Sequence, residues 1–219
     1  RDRLVKLPTR TALIEAIDQH LSTGTTSGYT VGLIDIGQFA ETNEAFGHGY
    51  GDAVLRALAH RLDESLGETC RIARVAGDTF GVLGLSWAIR PEKLRPLFAD
   101  ALVIDDEVRH QLSVSMGFAQ LADVQSGNDA IKNAYLAVKL ARTFGPGRDA
   151  VYTKEIGQET RERTHLLHSL HAAFEHDRLF VAYQPQVDLT SARPLGFEAL
   201  MRWRDDKGEF IPPDRFIPL

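Results

Sequence analysis

The chain has 219 residues, 43% of them hydrophobic and 25% charged, an ordinary globular composition with enough apolar mass for a core. Its net charge of -5 excludes the basic surface that nucleic-acid binding needs, so no nucleic-acid partner is expected. One cysteine, Cys70, excludes an internal disulfide framework, and no apolar run approaches the ~20 residues that cross a bilayer. A cytoplasmic protein without a membrane segment is the expectation, and the opening Arg1, with no signal-peptide pattern behind it, suggests a piece of a longer chain.

In chain order, Thr11 to Leu21 carries Ala12, Ile14, Ala16, Ile17 and Leu21 at roughly helical spacing. "YTVGLIDI" (Tyr29 to Ile36) is a β-rich run that places Asp35 at a strand end. A helix over Phe39 to Phe46, a "GHGYGD" turn and a second helix on Val54, Leu58 and Leu62 follow. Arg71 to Val75 and Phe80 to Leu85 flank Ala76-Gly77-Asp78-Thr79 and predict a hairpin with a lone carboxylate, Asp78, at its tip. "PEKLRPLFADAL" predicts a helix with Pro91 near its start, "QLSVSMGFA" a strand, and Asn128 to Arg142 a helix on Ile131, Ala134, Tyr135 and Val138. "GPGRDAVY" turns into a last short strand.

A hairpin requires an antiparallel pair, which argues against a purely parallel doubly wound sheet. The fold class predicted is α+β, an antiparallel-rich central sheet flanked by helices, over residues 1–153. Residues 154–178 then read as a charged helical linker whose Leu166, Leu167, Leu170, Ala173 and Phe174 share one face. His165, His168, His171 and His176 project away from that face and read as solvated rather than as metal ligands. From Leu179 a second unit begins with two strand-like runs, and its ~40 residues are expected to be the opening part of a larger domain. Cys70, at the opening of a strand, reads as packing.

If the strands that carry Asp35 and Asp78 are neighbours, two carboxylates meet at one sheet edge. Mg²⁺ takes oxygen ligands and keeps waters and substrate phosphates, so two acids suffice for a nucleotide-bound metal. Taken alone, the pair reads more readily as surface acids at strand ends than as a metal or binding site. Asp52, after Gly51, reads alone either as a helix N-terminal acid or as a ligand group.

"AGDTF" resembles a degenerate GGDEF signature of diguanylate cyclases. The likeness extends over residues 2–153. "DRLVKLPTR" is similar to the family's D-x-L-T-G-L-x-N-R. "IDIGQFAETNEAFGHGYGDAVL" follows its I-D-x-D-x-F-K-x-x-N-D-x-x-G-H-x-x-G-D-x-x-L, and "SVSMGFA" and "AYLAVKLARTFGPGRD" resemble its later segments. The resemblance implies GTP as ligand, with Mg²⁺ or Mn²⁺, and a facing pair of domains that joins two GTP into cyclic di-GMP. By motif position Asp35, the Ile36 carbonyl and Asp78 would hold metal. Asn43 and Asp52 would read guanine, an amide and a carboxylate having the donors and acceptors that its edge needs. Arg142 stands where the family has a phosphate-contacting Lys, and Arg148 where it has an Arg, displaced by the Gly145-Pro146-Gly147 insertion.

Four departures bear on activity. Thr79 replaces the motif's Glu, an acid the family needs for catalysis, and losing a positioned acid or base costs ~10²–10⁴ in rate. Ala40 replaces a phosphate-side Lys, Gly37 replaces the frequent second Asp, and Ala76 replaces the first Gly, a change that active members tolerate. "GETC" (Gly67 to Cys70) stands where many cyclases have the R-x-x-D product-inhibition motif.

The second unit, "YQPQVDLTSARPLGFEALMRW" with "FIPPDRFIPL", is similar to the opening of EAL-type cyclic di-GMP phosphodiesterases over residues 179–219. The resemblance implies Glu198 as a metal ligand and Gln184 and Arg202 on the cyclic dinucleotide, with the remaining ligands and the catalytic base beyond Leu219. The reading that follows is a GGDEF domain, inactive or very weak, with Asp78 as its catalytic residue if active, which binds GTP to regulate an attached EAL phosphodiesterase. The alternatives are residual diguanylate cyclase activity from a homodimer, and a dimerisation or docking module.

Overall fold

The computed structural model describes residues 1–104 and 108–219. The chain divides into two units, Arg1–Gly157 and Gln158–Leu219.

The first unit contains the helix α1 (Arg10–Ser22), β1 (Tyr29–Ile36), α2 (Phe39–Phe46), α3 (His48–Leu66), β2 (Arg71–Ala76) and β3 (Thr79–Leu85). After these come α4 (Pro91–Leu94), β4 (Leu102–Ile104), β5 (Val108–His110), β6 (Val114–Gln120), α5 (Gly127–Thr143) and β7 (Asp149–Val151). Five strands form one sheet in the order β2-β3-β1-β6-β7. Only the β6–β7 pair is parallel. This is the antiparallel-rich α+β architecture expected from the sequence.

Strand parity sorts the side chains of β1 between two cores. Val31 and Leu33 face Leu13 and Ile17 of α1 and Ile131, Ala134 and Val138 of α5. Ile34 and Ile36 face Val54, Leu55, Leu58 and Leu62 of α3. A strand covered on both faces needs apolar residues at nearly every position, which is why "YTVGLIDI" does not alternate. Asp35 has the parity of Val31 and Leu33, so it lies on the α5 face.

Two glycines set how closely helices approach. A Cβ on Gly117 of β6 would run into the backbone of α5 at Ala134 and Val138. A Cβ on Gly51 of α3 would run into the Asn43 side chain of α2. Each helix therefore lies about a methyl group nearer its neighbour than any other residue would allow.

The structure corrects two expected elements. The "GHGYGD" turn reduces to Gly47, whose φ of 83° breaks the chain between α2 and α3, and the helix begins at His48. Asp52 is therefore the fifth residue of α3 rather than its N-terminal acid. The helix expected over "PEKLRPLFADAL" is one turn, α4, followed by a 3-10 turn over Arg95–Phe98, and Leu102 opens the strand β4 instead. Pro96 lacks an N–H and stops the α-helix there. Arg61 of α3 takes up the carbonyls that are left, donating to Leu97, Asp100 and Ala101. The β4–β5 hairpin it leads into carried too few residues for the sequence pattern to reveal.

In the second unit α6 (Lys154–Glu175), which begins just before the unit boundary, leads to β8 (Leu179–Val187), β9 (Pro194–Arg204), β10 (Phe210–Ile211) and α7 (Pro213–Phe216). The strands form an antiparallel sheet, β10-β9-β8. Its core is Ala173, Trp203 and Phe216, with Leu166, Leu170 and Leu179 packed around them. The apolar face of α6 is narrower than expected: Leu167 is 37% and Phe174 76% exposed. The four histidines of this stretch are exposed.

Candidate functional site

The site forms where β1 ends and the β2–β3 hairpin turns. Antiparallel register places Asp35 opposite Thr79 on β3 and opposite Ser115 on β6, so the three form a row on the α5 face. Arg142 comes down onto that row from the last turn of α5, where a cation also favours the helix dipole. It ion-pairs with Asp35 Oδ2, while the Thr79 hydroxyl donates to Asp35 Oδ1 at 3.1 Å. Both Asp35 and Thr79 are buried, at 3% and 4% exposure.

Asp78 stands at the turn, partly exposed, and its carbonyl accepts from the Ile36 N–H at 3.2 Å, tying the hairpin tip to the end of β1. Burial, and then the charge of Asp35, push the Asp78 carboxyl above its ordinary value, and the Arg142 charge offsets part of that rise. Asp78 lines a cavity, and Asp35 is buried beside it, beneath Arg142, without lining the cavity itself.

The cavity has a volume of about 360 Å³. The stretch from Ile36 to Glu41 lines it, together with Asp78, Ser113, Ser115, Arg142 and Pro146. Gly37 is pinned to Ser113, its N–H donating to the Ser113 carbonyl at 2.7 Å. A Cβ on Gly37 would lie 3.2 Å from that same carbonyl, so an Asp here would have to shift this wall. Gln38 then takes a left-handed conformation, φ 56°, and turns the chain into α2. The first-turn N–H groups of a helix have no intrahelical acceptor. Those of Phe39, Ala40 and Glu41 stand at this wall and suit an anion, although Ala40 itself brings no charge.

The Asn43 side chain lies against Gly51, the residue before Asp52, and Asn43 and Asp52 are both partly exposed. Arg148 is not brought to the cavity. It is exposed beyond the Gly145-Pro146-Gly147 turn, and its carbonyl accepts from the Met116 N–H at 3.0 Å. Gly67 to Cys70 form the turn between α3 and β2, with the Thr69 and Cys70 N–H groups donating to Leu66.

Two residues at the site carried no role in the sequence reading. Arg74 donates twice to the Gly77 carbonyl, at 3.0 and 2.7 Å, and ion-pairs with Asp2 at 3.3 Å. Asp2 in turn accepts from the N–H groups of Leu4 and Val5. Burial alone would raise its carboxyl, but those two N–H groups and the Arg74 guanidinium together hold it below the ordinary value. This bracing links the "DRLVKLP" turn to the hairpin tip. The signal available in the sequence was the motif likeness of that turn, whose partner was not evident without the β2 register.

In the second unit Gln184 of β8 and Glu198 of β9 are direct cross-strand partners. Arg202, paired with Phe180, has the same parity as Glu198, so the three share one face of the hairpin. Trp203 and Leu179, of opposite parity, face the core on the other side.

The donor set at the first site fits a hard divalent cation. It consists of Asp78 and Glu41 on the cavity and Asp35 buried beside it, with serine hydroxyls rather than thiols or imidazoles around them. Asp35, Asp78 and the Ile36 carbonyl are the groups that would hold Mg²⁺ or Mn²⁺, and a metal there would neutralise phosphate charge.

A five-stranded, mostly antiparallel sheet with an acid at the end of its central strand and another at the neighbouring hairpin defines a nucleotide-cyclase-like domain. The chain belongs to the GGDEF family: residues 1–147 match the family described as "Diguanylate cyclase, GGDEF domain", and residues 167–219 match the EAL domain. Over its whole length it is 30% identical to the bifunctional diguanylate cyclase/cyclic di-GMP phosphodiesterase MucR of Pseudomonas aeruginosa, of which it covers 33%. It is also 30% identical to the cyclic di-GMP phosphodiesterase PdeR of Escherichia coli, with 99% of this chain and 33% of that protein aligned. The chain thus spans about a third of the length of these relatives. Among solved structures, the GGDEF domain of TpbB (YfiN) from Pseudomonas aeruginosa superposes with a TM-score of 0.66 at 24% identity, covering 74% of this chain and 99% of that one. No helix among the described residues is long and apolar enough to cross a membrane.

Proposed function

We propose that this chain is the GGDEF portion and EAL opening of a cyclic di-GMP signalling protein, in which the GGDEF domain binds GTP without turning it over at a useful rate. The observation that carries this reading is the hydroxyl of Thr79 at the hairpin position, spent on Asp35. A threonine cannot take the proton of the attacking 3′-hydroxyl at neutral pH, nor add a carboxylate to a metal. The binding parts remain: Asn43 and Asp52 for guanine, Arg142 and the α2 N-terminus for phosphates, Asp35 and Asp78 for Mg²⁺ or Mn²⁺. Arg148 has no part in this site.

Occupancy by GTP is the signal, and the EAL domain is the output. MucR and PdeR, by their names, act on cyclic di-GMP as phosphodiesterases, one of them also as a cyclase. In the EAL part Glu198 would bind metal, with Gln184 and Arg202 on the dinucleotide. GTP can shift the output only by binding one state of the protein better than another, and α6 is the covalent connection through which the two states would differ.

Thr79→Glu tests the reading. Nucleotide chromatography after incubation with GTP and Mg²⁺ is expected to show cyclic di-GMP from Thr79→Glu at a rate ~10²–10⁴ above the wild-type chain. Equal, rapid production by both would overturn the inactive reading in favour of a cyclase.

A further inference from the structure

We propose that Arg142 is the resident counter-ion of the two-acid site and is exchanged for the divalent cation when nucleotide phosphates arrive, so that metal and nucleotide bind together or hardly at all. The metal and GTP come from the functional reading above, on which this inference rests.

The geometry shows a carboxylate whose needs are already met. Asp35 has one oxygen on the Thr79 hydroxyl and the other on the Arg142 guanidinium, and its side chain is only 4% exposed. Arg142, paired with Asp35, also lines the same cavity as Asp78, so one positive charge stands at the site of both acids. The pair is asymmetric. The Asp35 side chain is walled in by three strands, while that of Arg142 is 48% exposed and belongs to the last turn of α5. Only the arginine can leave without disturbing the core.

Its departure has different consequences for the two ligands. A metal ion arriving alone must displace a guanidinium that then finds nothing but water. A metal arriving with a triphosphate brings phosphate oxygens, which a guanidinium can take bidentately across the same cavity. Nucleotide therefore relieves the cost of the exchange, and by linkage each ligand tightens the other. Thr79 adds to the effect, since its hydroxyl keeps Asp35 oriented toward the α5 side.

The test is Mn²⁺ binding to the 219-residue chain, read as loss of the free-ion electron paramagnetic resonance signal, with and without GTP, after subtracting the metal held by GTP in a protein-free titration. The wild-type chain is expected to bind Mn²⁺ weakly alone and ~10- to 100-fold more tightly with GTP. Arg142→Gln is expected to bind Mn²⁺ alone at least about tenfold more tightly than wild type, with most of the GTP dependence gone. Adding Asp35→Asn to that variant should abolish the gain. Should Arg142→Gln fold poorly, Arg142→Lys, which keeps the charge but loses the fork, should show a smaller gain of the same sign, and Mn²⁺ alone should raise its melting temperature more than that of wild type. Unchanged or weaker Mn²⁺ binding by the Arg142 variants overturns the proposal, as does wild-type Mn²⁺ binding that GTP leaves unchanged while it alters that of the Arg142 variants. If GTP has no effect on any form but the Arg142 variants still gain Mn²⁺, the counter-ion role stands and the GTP reading fails.

Discussion

At the residue scale the site is a contest over charge. Asp78 sits partly buried beside the buried Asp35, and both facts push its carboxyl upward. A raised folded value means the protonated form is favoured in the fold. The stability tied to Asp78 is thus fully present below its ordinary 3.8 and is lost as pH rises through the folded value. At pH 7 its ionised form is a liability in the absence of a cation, so Asp78→Asn is expected to melt higher than wild type at pH 7 in chelator. Thermal melts across pH should show the gap closing as pH falls toward 3.8.

Asp2 has the opposite sign. Its folded value is depressed, so its contribution is present above the ordinary 3.8 and lost as pH falls through the folded value. Asp2→Asn should cost about 1–2 kcal/mol at pH 7 in denaturant unfolding, and less near pH 3. Asp35, Asp78, Asn43, Asp52 and Arg142 were named from motif position, and of these the fold joins Asp35 to Arg142 and sets Asp78 and Arg142 on one cavity. The Thr79–Asp35 and Arg74–Gly77 bonds were not, because each depends on which strand residues stand opposite one another.

At the scale of elements, the close approach at Gly117 holds α5 where Arg142 meets Asp35, and that at Gly51 sets the Asn43 side chain against α3. Gly117→Ala would force α5 off β6 and with it Arg142 away from Asp35, and we expect a loss of about 3 kcal/mol in denaturant unfolding. Gly51→Ala would press on the Asn43 side chain, and calorimetry should show weaker GTP binding with a smaller loss of stability, about 1 kcal/mol. The long elements were readable from periodicity, because β1, α3 and α5 each bury a consistent set of side chains. The errors fell on short elements. Glycines in "GHGYGD" suggested a turn, yet only Gly47 needs positive φ, and packing of α3 on the sheet carries Gly49 and Gly51 into the helix. In "PEKLRPLFADAL" an amphipathic pattern hid the effect of Pro96, and three-residue strands such as β4 and β5 leave no periodic trace.

At the scale of the whole molecule, the order of a GGDEF domain followed by EAL sequence was legible from motifs, and the family matches bear it out. Strand parity puts Gln184, Glu198 and Arg202 on one face of the β8–β9 hairpin, as one ligand site would need, although each was named from motif position alone. The fold is common to cyclases and to the GTP sensor proposed above, and the proposal rests chiefly on Thr79. The most direct measurement is isothermal titration of the chain with GTP in Mg²⁺. The account predicts a saturating binding heat that returns to baseline after each injection, with GTP recovered intact. A sustained heat of reaction with cyclic di-GMP accumulating, or no heat at all, would contradict it.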